Sequence, residues 1–190
     1  MKERRWLSGL ATANPRISNF FSNEAFEPEE LWKEIEYLRT ARIDLRGDNT
    51  LTAVLDRRGP VKVSFFGDVG MSHVHEPDLT ENGLQVASLL DLTATKLKTV
   101  QQRAEAKDYG DIVAALNAGI DLSEALGAGQ SVYGGSFSAL AALKALTYFE
   151  DGNLPTLPAD VRQRLITEAA KVKLQRLPAI AAKPGIIRLE

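Results

Sequence analysis

The chain of 190 residues has no cysteine, no net charge to speak of and no long apolar run. Without cysteine there are no disulfides and no Cys-ligated zinc, which fits a reducing compartment and leads us to expect a cytoplasmic protein. A net charge of −2 gives no global field that would draw the chain to nucleic acid or to an anionic membrane, so any such contact must come from a local patch. No stretch approaches the roughly 18 apolar residues of a membrane span, and residues 1–9 are charged rather than signal-like, so no membrane partner is expected. The composition is otherwise ordinary. With 44% hydrophobic and 25% charged residues the chain should fold, and its length suits one core or a small sheet domain beside a helical one.

The first 23 residues have a Phe20-Phe21 pair but no sustained period. From Pro28 the pattern clears: proline suits a first helical position, acids crowd the first turn, and Leu31, Trp32, Ile35 and Leu38 form one apolar stripe. Between Arg42 and Gly67 the period becomes two, with Ile43 and Leu45, then Leu51, Ala53 and Leu55, then Val61, Val63 and Phe65. Gly47-Asp48-Asn49 and Arg57-Arg58-Gly59-Pro60 separate these runs, which predicts a three-stranded antiparallel meander. Asp68 to Gly83 reads as a loop and a boundary.

Beyond it the chain turns helical. Val86, Leu89, Leu90, Leu97 and Val100 share a side of a helix expected to run to about Glu105, and a second is expected over Lys107 to Ala118, stopped by Gly119. Asp121-Leu-Ser-Glu124 has the form of a capping box. Further helices are expected over Leu122 to Val132, Phe137 to Tyr148 and Pro158 to Leu174. The predicted fold is therefore α+β, a reduced antiparallel sheet followed by a helical bundle. Residues 1–83 form the sheet portion, 84–188 the helical portion, and Leu189-Glu190 is expected to be a cloning scar.

The densest polar cluster joins Asp91-Leu-Thr-Ala-Thr95-Lys96 to Arg103-Ala-Glu-Ala-Lys107-Asp108-Tyr-Gly-Asp111. At 100° per residue Lys96 and Arg103 point the same way, at the edge of the apolar stripe, while Lys98 and Gln102 point outward. Asp108 and Asp111 share the start of the next helix, where the dipole favours carboxylates, and Lys107 is four residues from Asp111 and could pair with it. These residues suit two roles: a structural ion cluster, or a pocket gripping a nucleotide phosphate. His73-Val-His75 offers two imidazoles in a loop without a third ligand, so both are expected in solvent. Arg57-Arg58 and the basic residues near Met1 are expected to be a solvated turn and terminus, and Trp6 is too slight a signal for a base-stacking platform.

The runs Val61-Lys-Val-Ser-Phe-Phe-Gly67, Gly83 to Lys96 and Gln102 to Ile112 resemble the AbiEii/AbiGii nucleotidyltransferase family, toxins of bacterial type IV toxin-antitoxin systems. The similarity takes in Phe21-Ser-Asn-Glu-Ala-Phe26 and Leu154-Pro-Thr-Leu-Pro158, and D-L-x-x-T-K followed by R-x-x-x-K-D-x-x-D carries most of it. The resemblance implies Lys96 and Asp111 as catalytic positions, Lys96 on phosphate and Asp111 orienting substrate, with Arg103, Lys107 and Asp108 as their substrate-binding neighbours. It implies magnesium and a nucleoside triphosphate for intact members, a nucleotide partner, and a cognate antitoxin at the level of the operon.

The chain departs from the family upstream. There the family has Gly-Gly-Thr-Ala and an Asp-x-Asp pair before Phe-Phe-Ser, and this chain has Ser8-Gly9-Leu10-Ala11-Thr12 and Arg16-Ile-Ser-Asn-Phe20. Asn19 cannot replace an anionic pair that holds magnesium. The expectation is a truncated or degenerate relative without transferase activity, no metal site and no cofactor in this form. Its sheet edge or uncovered apolar surface would favour a homodimer. The alternatives are an active nucleotidyltransferase toxin acting on RNA or protein, and a non-catalytic interaction module.

Overall fold

A computed structural model describes the backbone of residues 7–9 and, in full, residues 17–70, 72–81 and 85–185. The expectations for Met1 to Trp6, for 10–16 and for Leu189-Glu190 lie outside the described residues. The fold is α+β, in two compact units: Met1–Met71 with Glu76–Ala87 and Pro184–Glu190, and Ser72–His75 with Ser88–Lys183.

The first unit is built on a mixed sheet. Strands β1 (Leu7–Gly9), β2 (Ile17–Phe21), β3 (Arg42–Gly47), β4 (Thr50–Asp56), β5 (Pro60–Phe66), β6 (Asp78–Leu79) and β7 (Gln85–Val86) stand in the order β3-β4-β5-β2-β1-β7-β6. The predicted meander is present as β3-β4-β5, each pair antiparallel. The expectation of a purely antiparallel sheet of about three strands is corrected by β2, which lies parallel to β5. Phe20 stacks on Phe65 at 5.1 Å and Phe21 on Phe66 at 5.3 Å, so aromatic pairs between register partners join the two strands.

Both hairpin turns use left-handed backbone, at Asn49 (φ 53°) and at Arg58 (φ 56°) followed by Gly59. The Asn49 side chain also accepts the Phe26 N–H at 2.8 Å, tying the first turn to the chain that enters the helix. That helix, α1 (Pro28–Glu34), is shorter than its stripe suggests and passes into a 3-10 turn over Glu36–Thr40. Phe26, Leu31 and Leu38 cover Leu51, Ala53, Leu55, Val63 and Phe65 on one face of the sheet. Leu45 was expected on that face, but a register shift between Ile43 and Leu45 leaves it 54% exposed.

The second unit holds α2 (Leu89–Thr99), α3 (Ala106–Asn117), α4 (Leu122–Tyr133), α5 (Ala139–Thr147) and α6 (Ala159–Lys171). The first of these is not the long helix expected: Val86 lies in β7, and the chain leaves helix after Thr99. Side chains of Ser88, Asp121 and Ser138 cap α2, α4 and α5 by accepting the N–H three residues on. Gly119, at φ 102°, ends the turn after α3. One core runs through the unit, with Leu97, Ile112, Leu126, Leu146 and Leu165 wholly buried.

Residues 177–183 run as an extended strap. Ser131 donates its hydroxyl to the Ile180 carbonyl, and His73 and Lys183 exchange backbone hydrogen bonds of 3.1 and 2.8 Å. On α4 the strap passes so close that a Cβ at Gly127 would sit 2.4 Å from the Pro178 carbonyl oxygen. Gly127→Ala should therefore cost about 1–3 kcal/mol through overpacking against backbone. Urea unfolding checks this, with Gly110→Ala as the control on α3, where a Cβ meets nothing within 4 Å.

Candidate functional site: a buried lysine between two aspartates

Helix α2 carries Lys96 on its inner side and α3 carries Asp108 and Asp111 one turn apart on the face turned toward it. The Lys96 Nζ lies 2.8 Å from Asp108 Oδ1 and 2.6 Å from Asp111 Oδ2. Arg103, on the connection between the two helices, reaches Asp108 Oδ2 through Nε at 2.9 Å and Oδ1 through Nη2 at 3.4 Å. The side chains of Lys96, Asp108 and Asp111 are 8%, 0% and 6% exposed, against 46% for Arg103. Two cations thus face two carboxylates, which makes the cluster neutral as a whole.

Four of the five predicted site residues meet here: Lys96, Arg103, Asp108 and Asp111. Lys107 does not join them. The expected pairing of Lys107 with Asp111 is corrected: Lys107 turns outward to Glu105 at 2.7 Å, and Asp111 takes Lys96 instead. A lysine leaving the first turn of a helix extends easily to an acid at the cap, whereas Asp111 faces inward toward the Lys96 charge.

Burial alone would push the Asp108 carboxyl up. The hydrogen bonds from Arg103 and Lys96, with their charges, outweigh it and hold Asp108 below its ordinary value. The bond to Asp108 in turn raises Arg103. Lys96 is therefore engaged from two sides. For its ammonium to meet a phosphate, it would have to leave both carboxylates, and both would then be buried with less compensation.

Asp91, the first residue of D-L-x-x-T-K, is a second organising acid, whose own role was not legible in the sequence. It accepts the N–H of Val74 at 2.8 Å and of His75 at 3.1 Å, and the Ser88 hydroxyl at 2.6 Å. Ser88-x-x-Asp91 at the start of α2 is the spacing of a capping box and could have flagged it. Farther along α2 the Thr95 hydroxyl shares a 2.8 Å hydrogen bond with the Tyr133 hydroxyl of α4. The two histidines do not both lie in solvent as expected: His75 is exposed, but the backbone pairing to Lys183 holds His73 half-buried.

Arg103 also lines an open cleft of about 180 Å³ with Gln102, Tyr109, Tyr148, Asp151 and Leu154. This is below the roughly 300 Å³ at which clefts begin to enclose a ligand of drug size, and so too small for a nucleoside triphosphate. The magnesium implied by the resemblance does not fit the donors present. Strand β2, where the aspartate pair would fall, offers Asn19, whose register partner on β5 is Ser64 and beyond it Thr52 on β4, a neutral row. Ser64 and Thr52 are already bonded to one another at 3.1 Å. Among the described residues no group of three or more His, Asp or Glu side chains is arranged to hold a metal ion.

Comparison with known protein families, with characterised proteins and with solved structures finds no match to this chain.

Lys96→Met should destabilise the protein by about 3–5 kcal/mol, because it leaves buried carboxylates uncompensated. Adding Asp111→Leu to it should recover part of that loss, and chemical denaturation of the two variants checks both statements. Because the folded Asp108 titrates below its ordinary value, the stability it contributes is present above about pH 4 and is lost as pH falls through its lower folded value. Asp108→Asn should accordingly flatten the fall in stability below about pH 4, measured as thermal midpoint against pH.

Proposed function

We propose that the chain is a nucleotidyltransferase-like protein related to type IV toxins that lacks nucleotidyl transfer in this form. Its lysine and aspartate motifs serve to hold the helical unit together. The observation that carries this reading is the meeting of Lys96, from D-L-x-x-T-K, with Arg103, Asp108 and Asp111, from R-x-x-x-K-D-x-x-D, in one buried, charge-neutral cluster. The lysine of one motif meets three charged residues of the other, which supports treating them as one inherited constellation. Lys96 spends its charge on Asp108 and Asp111, so in this chain it acts through the fold rather than on a phosphate.

Nucleotidyl transfer requires negative charge on the triphosphate to be neutralised as the bond to the leaving pyrophosphate breaks. The β2 row supplies an amide and hydroxyls, and the helical unit supplies a lysine already satisfied. Neither supplies the free carboxylates that would hold a divalent ion, so no step of transfer is assigned to these residues.

Isothermal titration with each nucleoside triphosphate plus magnesium should give no saturable heat, and incubation of the chain with labelled nucleotide and tRNA should leave the label unincorporated. Robust incorporation that is lost in Lys96→Met, with that variant still folded, would overturn the proposal.

A further inference from the structure

Although the chain is close to neutral, its charge is segregated. Of its 23 Lys and Arg residues six lie within 161–183, and that stretch holds one acid, Glu168. Four of them, Arg164 and Lys171 on one side of α6 and Lys173 and Arg176 on the chain that follows through the 3-10 turn Leu174–Arg176, make a basic surface. Arg164 and Lys171 both reach Glu168 Oε1, at 3.4 and 2.8 Å, and their side chains are 43% and 64% exposed against 14% for the acid. The carboxylate is therefore the inner member of the group and the two cations the outer ones. Lys173 and Arg176 extend the basic surface and are exposed.

The opposite pattern lies on α1. Residues 24–36 carry six glutamates, Glu24, Glu27, Glu29, Glu30, Glu34 and Glu36, with Lys33 as the one cation, and all six are exposed. Arg46 pairs with Glu29 and Arg39 turns to the Lys33 carbonyl, and Glu24, Glu27, Glu34 and Glu36 keep the face acidic. Tyr37, 37% exposed, follows α1 in the chain.

We propose that the basic face of α6 docks on the acidic face of α1 of a second copy of this chain. Charge complementarity selects this occupant. Each face repels its own kind, the two attract one another, and a net charge of −2 raises little long-range repulsion between copies. A nucleic acid would find the same basic face, but with the rest of the chain acidic it would also meet repulsion that a second copy does not. The proposal stands on surface charge and does not depend on the function assigned to the Lys96 cluster.

Contacts between exposed ions are weak and strongly screened, so the association is a low-salt property. Sedimentation velocity on nuclease-treated protein should show a species heavier than the monomer at about 10 mM salt, where the Debye length is about 30 Å, and loss of that species at about 1 M, where it is about 3 Å. The variant Arg164→Glu/Lys171→Glu/Arg176→Glu should be monomeric alone, as should Glu27→Lys/Glu34→Lys/Glu36→Lys. An equimolar mixture of the two should associate again, because each reversed face then meets a complementary one. A monomer at low salt overturns the proposal, as does a mixture that stays monomeric or a reversed variant that still associates alone. A heavier species that disappears on nuclease treatment assigns the basic face to nucleic acid and overturns it too.

Discussion

The helical unit depends on one ammonium group. Lys96 Nζ sits between Asp108 and Asp111, and Arg103 closes the group from the connection between their helices. Such a cluster contributes less to net stability than its short distances suggest, because the ions lose hydration on burial. Its stronger effect is on specificity. A register of α2 against α3 that displaced Lys96 would bury two carboxylates without a partner, so the pairing of these helices is fixed by the cost of the alternatives. The same constraint accounts for the end of α2. The chain must leave helix after Thr99 for Arg103 to approach Asp108 from the side that Lys96 does not occupy.

The sheet unit is organised by apolar and aromatic contact instead. Its antiparallel meander was legible because each strand pairs with the next across a short turn, and alternation in Leu51-Ala53-Leu55 and Val61-Val63-Phe65 specifies the covered face. Strand β2 was not legible. Its partner β5 lies more than 40 residues away in sequence, and Ile17-Ser-Asn-Phe-Phe21 does not alternate. The Phe20-Phe21 pair was the visible trace of it, and its meaning comes only from Phe65 and Phe66. Leu45 shows the opposite limit: its place in the alternation was clear, but a local register shift turned it out.

For the candidate site, helical geometry brought Lys96, Arg103, Asp108 and Asp111 within reach of one another but could not say which acid each cation would take. Lys107 shows why, since a spacing of four to Asp111 is met equally well by a turn outward to Glu105. Burial decides between these choices, and burial is a property of the packed unit. The role of Asp91 was hidden for a related reason. Two of the groups it binds, the N–H groups of Val74 and His75, come from a crossing segment that carries no regular pattern.

The Lys96 ammonium is committed to Asp108 and Asp111. Lysine side-chain NMR can follow the Lys96 ammonium resonance as a nucleoside triphosphate and magnesium are added. A slowly exchanging signal that stays in place throughout the titration is expected. A saturable shift of that signal, with loss of its coupling to the two carboxylates, would contradict it.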